Sequence, residues 1–296
     1  MELKKIRLNT YAINYPSAVG VYVFDDQSCV LIDSGASASF GKKTLKLLAN
    51  QGYKVRGIIN THSHADHCGG NHYIQEATNC AIYASATEAP FLGDPVLEMT
   101  YLYSASPIKA LKNKFVLPPK CTVTNIIEPG KAVINGAEFK FIDLSGHSLG
   151  QIGVETPDGV LFAGDSLIVT RILSNHPFLY LVDVSNHMDS LNTLLSWPGD
   201  CVYLSHGGLV NDLGKEIREN GHALDQILNL LLDIVKSPKG REETLRELAQ
   251  RLGITLNQNG YYRSLSSISA FLSFLCNEGI IQVGLEDGLM KFARAR

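Results

Sequence analysis

Short apolar runs separated by turn residues fill the first 213 residues of this 296-residue chain, and longer stretches of helical periodicity fill the rest. Residues 18–24 and 29–32 read as two strands joined through Asp25-Asp26-Gln27-Ser28, with Asp33-Ser34-Gly35 ending the hairpin. Leu45, Leu47 and Leu48 among lysines predict an amphipathic helix over 39–49, closed by Gly52. A buried strand over 55–59, a helix over 71–77 and a strand over 80–83 follow. This β-β-α-β order suits a layered sheet-and-helix domain. Residues 89–120 are punctuated by prolines and have no clear period. They read either as an excursion packed on the core or as a lid, since long irregular segments in compact domains are often functional. Strands resume over 122–127, 132–134, 138–143, 151–155 and 160–163, with Pro157-Asp158-Gly159 as the last hairpin turn. Two hairpins end in similar phrases, Val30-Leu31-Ile32-Asp33-Ser34-Gly35 and Val160-Leu161-Phe162-Ala163-Gly164-Asp165-Ser166, which suggests two related halves of a sandwich.

A helix over 190–197 and a strand over 201–204 close the first part. Beyond residue 213 the period changes. Leu224, Ile227, Leu228, Leu231 and Ile234 mark a long helix over 215–236. Helices over 242–252 and 265–277 follow, each stopped by glycine, and Glu286-Asp287-Gly288 joins a terminal hairpin. Three helices and a hairpin over 214–296 resemble a winged helix.

Composition narrows the function. The chain is 45% hydrophobic and 19% charged, ordinary for a globular enzyme. Its net charge of -3 argues against a protein built mainly to grip phosphate backbones. The tail over 215–296 carries eleven basic and ten acidic side chains, so it shows no basic excess of the kind a nucleic-acid reader needs. No apolar run approaches the roughly 18 residues a membrane span requires. The start lacks a secretion signal, and six scattered cysteines without a C-x-x-C suit reduced thiols. A cytoplasmic location is therefore expected.

The candidate chemistry sits in Thr61-His62-Ser63-His64-Ala65-Asp66-His67-Cys68-Gly69-Gly70, where the strand over 55–59 opens into a loop. Crowded imidazoles lower one another's pKa, and a divalent metal relieves them. In extended chain His62, His64 and Asp66 face one way. His67 breaks the alternation and needs a turn. Four donors in so tight a loop suggest two neighbouring ions.

This stretch resembles the H-x-H-x-D-H signature of the metallo-β-lactamase superfamily, and the resemblance covers about the first 213 residues. It implies an α+β fold, an αββα sandwich over 1–213, followed by the small helical, winged-helix-like domain over 214–296. Later ligand phrases occur in the family's order: Gly146-His147-Ser148, Gly164-Asp165-Ser166 and Ser205-His206-Gly207. The resemblance places His62, His64 and His147 on one ion, Asp66, His67 and His206 on a second, and Asp165 as the bridge. It makes Asp33 an outer partner that orients the loop. The donors suit two divalent ions, zinc first, with iron or manganese also compatible. Cys68 reads as loop packing. His72, His176, His187 and His222 read as satisfied surface or core histidines, with His176 the one placed to edge a pocket.

The implied chemistry is attack by a metal-bridged hydroxide on an ester-like bond. Asp66 and Asp165 are the catalytic carboxylates, Asp66 taking a proton as the intermediate collapses. Asp165 at the bridging position separates the chain from the β-lactamases of the superfamily and aligns it with glyoxalase II-type thioesterases and phosphodiesterases. The leading expectation is a hydrolase of a small thioester, ester or lactone. The alternatives are a metal-dependent nuclease or phosphodiesterase that uses the tail for RNA or DNA, a mono-iron persulfide-type dioxygenase, and a nucleic-acid-binding regulator. Expected partners are a small-molecule substrate and a second copy of the chain, with no membrane. No motif in the sequence identifies the substrate.

Overall fold

Four strands open the chain as an antiparallel meander: β1 (Leu3–Arg7), β2 (Thr10–Ile13), β3 (Val19–Val23) and β4 (Ser28–Ile32). The computed structural model describes residues 1–14, 16–112 and 116–295. Residues 113–115 of the irregular segment and residue 296 of the tail lie outside the described residues. Helix α1 (Ala38–Asn50) starts where the Ser37 side chain accepts the Phe40 N–H, satisfying one orphan amide of its first turn. It crosses to β5 (Lys54–Ile59), which lies parallel to β4. The chain continues through α2 (Ala65–Cys68), α3 (Asn71–Thr78), β6 (Ala81–Ser85), α4 (Ala89–Gly93), α5 (Val96–Tyr103) and a 3-10 turn at Lys109–Leu111. With β7 (Asn125–Ile127) it completes a seven-stranded sheet in sequence order.

The second sheet holds β8 (Gly130–Ile134), β9 (Ala137–Asp143), β10 (Ile152–Glu155) and β11 (Val160–Phe162), all antiparallel. Helices α6 (Thr170–Leu173) and α7 (Val184–Ser196) then lead to β12 (Cys201–Leu204), parallel to β11, with β13 (Gly208–Leu209) at the edge. Thus β3–β4–α1–β5 and β10–β11–α7–β12 share one plan, an antiparallel hairpin followed by a helix and a parallel strand. The tail comprises α8 (Leu213–Ile234), α9 (Arg241–Arg251), α10 (Gln258–Asn277) and the hairpin β14 (Ile281–Glu286) and β15 (Leu289–Arg294).

Alternation along the strands builds the layers. Val30 and Ile32 of β4 point between the sheets, where they meet Phe139, Val154, Phe162 and Tyr203. Cys29 and Leu31 point the other way, onto Phe40 and Leu48 of α1 and Ile74 of α3. In the second sheet Val160 and Phe162 face the sandwich interior, while Leu161 packs outward with Leu191, Leu224 and Phe271. The strands are buried on both faces and so read as unbroken apolar runs. Helix–sheet–sheet–helix is the α+β sandwich that the resemblance implies. Among the described residues no helix is long and apolar enough to cross a membrane.

Several elements differ from expectation, and α7 begins at Val184 rather than at residue 190. β1 and β2 were not foreseen, because β1 is an edge strand whose lysines face solvent. The segment over 89–120 contains two helices, α4 and α5. Helix α10 begins at Gln258 rather than at residue 265, after an Asn257 cap that accepts the Gly260 N–H.

Candidate metal centre

β5 delivers the loop. Asn60 still pairs with the Tyr83 carbonyl, and the Thr61 carbonyl accepts the Ile152 N–H, tying the loop to β10 of the other sheet. His64 keeps extended backbone and precedes α2, the turn that swings Asp66 and His67 inward. Gly70 follows because the loop crosses the end of β4 closely: a Cβ there would lie 2.4 Å from the Ser34 carbonyl oxygen. His147 comes from the loop between β9 and β10, Asp165 from the turn after β11, and His206 from the turn between β12 and β13. Gly146 sits at φ 123° and backs directly onto the start of α7, where a side chain would strike His187.

All seven expected ligands converge. Three donor groups form: His62, His64 and His147; Asp66, His67 and His206; and His62, His67 and Asp165, each with its ligand atoms within 4.8 Å of one another. Asp165 Oδ2 stands 3.7 Å from His147 Nε2, 3.4 Å from His67 Nε2 and 3.5 Å from His206 Nε2, so it reaches toward both triads. His206 Nε2 lies 3.0 Å from Asp66 Oδ2. His62 Nε2, His67 Nε2 and Asp165 Oδ1 are buried and have no hydrogen-bond partner among the described residues. Unpaired polar atoms are costly in a core, and bound cations would satisfy all three. The donor set, five imidazoles and two carboxylates, fits two divalent ions. Cys68 stays outside the set, its Sγ turned to the Ser63 carbonyl at 3.1 Å.

The outer partners are ordered. Asp33 accepts the Thr61 N–H and hydroxyl, both at 2.8 Å, and faces His67 Nδ1 at 2.9 Å. Since the Thr61 hydroxyl donates to Asp33, its oxygen is free to accept from His62 Nδ1 at 3.0 Å. Asp33 holds this position with a left-handed backbone, φ 63°, which aspartate tolerates better than most residues. Sequence reasoning missed several contributors. Ser17 donates to Asp66 Oδ2 at 2.9 Å, and the Pro16 and Tyr180 carbonyls take His206 Nδ1 and His147 Nδ1. Glu88 braces the loops, and Glu98 of α5 lies 3.6 Å from His64 Nε2. Glu98 was the one acidic residue in the apolar Val96–Tyr103 stretch, a signal available in the sequence.

Charge is concentrated here. Burial, then the neighbouring imidazoles, push His62 well down, and burial with His147 pushes His64 down to about 3. Burial opposes ionisation of Asp66 and Asp165, but His67 and His206 hold both below the usual carboxylate range. Burial disfavours His67 as a cation, yet Asp165, Asp66 and Asp33 raise it well above its usual value. Burial, with Glu88 adding, pushes Glu98 up to about 8. The centre opens into a cavity of about 400 Å³ walled by Glu98, Val116, His176, Phe178, Tyr180 and Arg263. His176 therefore edges the pocket, while His72 and His222 are exposed. His187 differs from expectation: it is buried and neither ring nitrogen has a hydrogen-bond partner among the described residues. A larger groove of about 690 Å³ between α5, the start of α7 and α10 contains none of the donor groups.

The class that this fold and donor set define is that of αββα sandwich proteins with a candidate metal centre lined by histidine and aspartate. More particularly, the chain belongs to the metallo-beta-lactamase superfamily, whose family model matches residues 14–206. A hydroxyacylglutathione hydrolase of Rhodospirillum rubrum is 29% identical over 141 residues, 47% of this chain and 43% of that protein. A probable metallo-hydrolase of Bacillus subtilis is 25% identical over 246 residues, 76% of this chain and 88% of that protein. The chain spans about half the length of the first hydroxyacylglutathione hydrolases it matches. A beta-lactamase domain protein from Burkholderia ambifaria superposes with a TM-score of 0.77 at 17% identity, over 99% of this chain and 94% of that one. The likeness is one of fold, and at that coverage it includes the tail.

Proposed function

We propose that this chain is a metal-dependent hydrolase of a small thioester, ester or lactone. The observation that carries the reading is Asp165, whose Oδ2 lies within 3.7 Å of imidazoles from both triads. A carboxylate so placed suits a bridge between two ions. The hydroxyacylglutathione hydrolases among its relatives support a thioester, and the cavity of about 400 Å³ suits a small molecule better than a polynucleotide.

His62, His64 and His147 would hold one ion, Asp66, His67 and His206 the other, and Asp165 would touch both. Zinc is the first expectation, with iron or manganese compatible with the same donors. Bound ions would supply Lewis acidity and a water nucleophile activated at neutral pH. The chain supplies the rest. Ser17 and His206 both meet Oδ2 of Asp66, and its side chain, which lines the cavity, remains 43% exposed. Asp66 is thus placed to take the proton as the bond breaks. Tyr180 and Phe178 wall the cavity, and α10 bounds it through Arg263 and Ser264. In this reading residues 1–213 carry the chemistry and residues 214–296 shape its mouth.

Elemental analysis of the purified chain, paired with a panel of thioesters, lactones and phosphodiesters, tests this. Two bound divalent ions and turnover of a thioester, ester or lactone are expected. Asp165→Asn should abolish that turnover while leaving the circular-dichroism spectrum intact. Turnover of phosphodiesters alone, or oxygen uptake with a single bound iron, would sink the proposal.

A further inference from the structure

Five imidazoles meet at this centre, and four have their outer nitrogen already held. Nδ1 of His62, His67, His147 and His206 meets Thr61 Oγ1 at 3.0 Å, Asp33 Oδ2 at 2.9 Å, the Tyr180 carbonyl at 3.0 Å and the Pro16 carbonyl at 2.8 Å. Nε2 of each is thereby left for the cluster. His64 is turned the other way. Its Nδ1 lies 3.0 Å from His147 Nε2, inside the cluster, and its Nε2 faces out. The group facing that Nε2 is Glu98 Oε1, at 3.6 Å.

Glu98 has no other ion-pair or hydrogen-bond partner among the described residues, although its side chain is only 13% exposed. A carboxylate that deeply buried needs a reason. Its electrostatic surroundings are Glu88 and Asp66, which oppose its charge, and Arg263 of α10, which favours it. The Tyr180 ring lies against both His64 and His147, with centroids 5.4 Å from each, and limits how far either imidazole can tilt.

We propose that Glu98 is the positioning residue for His64. A neutral imidazole carries one proton, and Glu98 when ionised, facing Nε2 at 3.6 Å without a hydrogen bond, favours it there electrostatically. Nδ1 then presents its lone pair to the position that His62 and His147 also face. Outer partners of this kind fix the tautomer and orientation of a metal-binding histidine. Every imidazole of the centre then has one, and the fifth comes from α5, which belongs to neither sheet. The inference rests on the two-ion reading above and adds a residue to it.

The full chain is prepared metal-free as wild type, Glu98→Leu and Glu98→Gln, and each is titrated with Zn²⁺ against a chromophoric chelator. In Glu98→Leu one of the two ions should bind about tenfold to a hundredfold more weakly, with the other little changed. Glu98→Gln keeps an acceptor oxygen and should recover most of that loss. The melting temperature of the metal-free protein should not fall in either variant. Equal affinity for both ions in wild type and Glu98→Leu would overturn the role of Glu98. So would a Glu98→Leu chain that loses its fold without metal while Glu98→Gln binds zinc normally, because that marks a structural residue. A wild-type chain that takes up no divalent ion would instead bring down the two-ion reading itself.

Discussion

Glu88 is no ligand, yet both ligand loops hang on it. Its carboxylate, 1% exposed, accepts the Ser63 N–H at 2.9 Å and hydroxyl at 2.5 Å on one oxygen. The other oxygen accepts the Ser148 hydroxyl and the Gly150 N–H, both at 2.8 Å. One side chain thus pins the loop of His62 and His64 to the loop of His147. Glu88→Ala would leave four donors unpaired in the core and should cost at least about 3 kcal/mol in urea unfolding, with Glu88→Gln losing less. His187 makes a different kind of prediction. Burial, with His147 adding, pushes it down to about 3 from an ordinary value of 6.5. On acidification the unfolded chain therefore takes up this proton first. Its contribution to stability is complete above pH 6.5 and is lost as pH falls toward 3, by at most about 1.4 kcal/mol per pH unit. Urea unfolding of metal-free His187→Leu should lack that share of the acid slope; equal slopes in variant and wild type would refute it. No residue-level rule exposes either role in the sequence. Glu88 binds through neighbours distant in the chain, and His187 is surrounded by nothing that looks like a motif.

At the scale of elements, helix α10 joins the tail to the chemistry. Phe271, fully buried, lies 6.0 Å from the Phe178 ring, and Phe178 walls the metal cavity. Ser267 of the same helix accepts the Leu181 N–H next to Tyr180. Phe271→Ala should therefore cost about 3–5 kcal/mol and also loosen the cavity wall, visible as a higher KM once a substrate is known. The early turns of α10 escaped the periodicity argument because Gln258 to Ser264 is polar and contains Gly260. The Asn257 cap was the legible signal. Strand β1 was hidden for a related reason, since its register shift between Lys5 and Arg7 breaks the period of two. By contrast β4, β5, β11 and β12 were plain in the sequence, because strands buried on both faces leave few positions for polar residues.

Over the whole molecule the tail shares its apolar core with the second sheet. Leu161 of β11 and Val202 of β12 belong to one cluster with Leu224, Leu231, Leu248 and Phe271. A chain ending at residue 213 should expose that face and aggregate or unfold rather than survive as a free-standing catalytic unit. A soluble, cooperatively melting 1–213 fragment would contradict this. The convergence of the seven candidate ligands was legible because each stands in a short phrase at or just after the end of a strand. Of their supports Asp33 was legible, but carbonyls such as those of Pro16 and Tyr180 were not, because they carry no residue signature. Asp33 has a larger consequence. It grips His67 directly and His62 through the Thr61 hydroxyl, and these two imidazoles, grouped together with Asp165, also belong one each to the other two donor groups. Asp33 is thus a single point through which a change reaches both imidazoles at once. In the proposed two-ion reading Asp33→Ala should therefore weaken zinc binding at both positions together, and a zinc titration of the metal-free variant that shows loss at one position alone would contradict this.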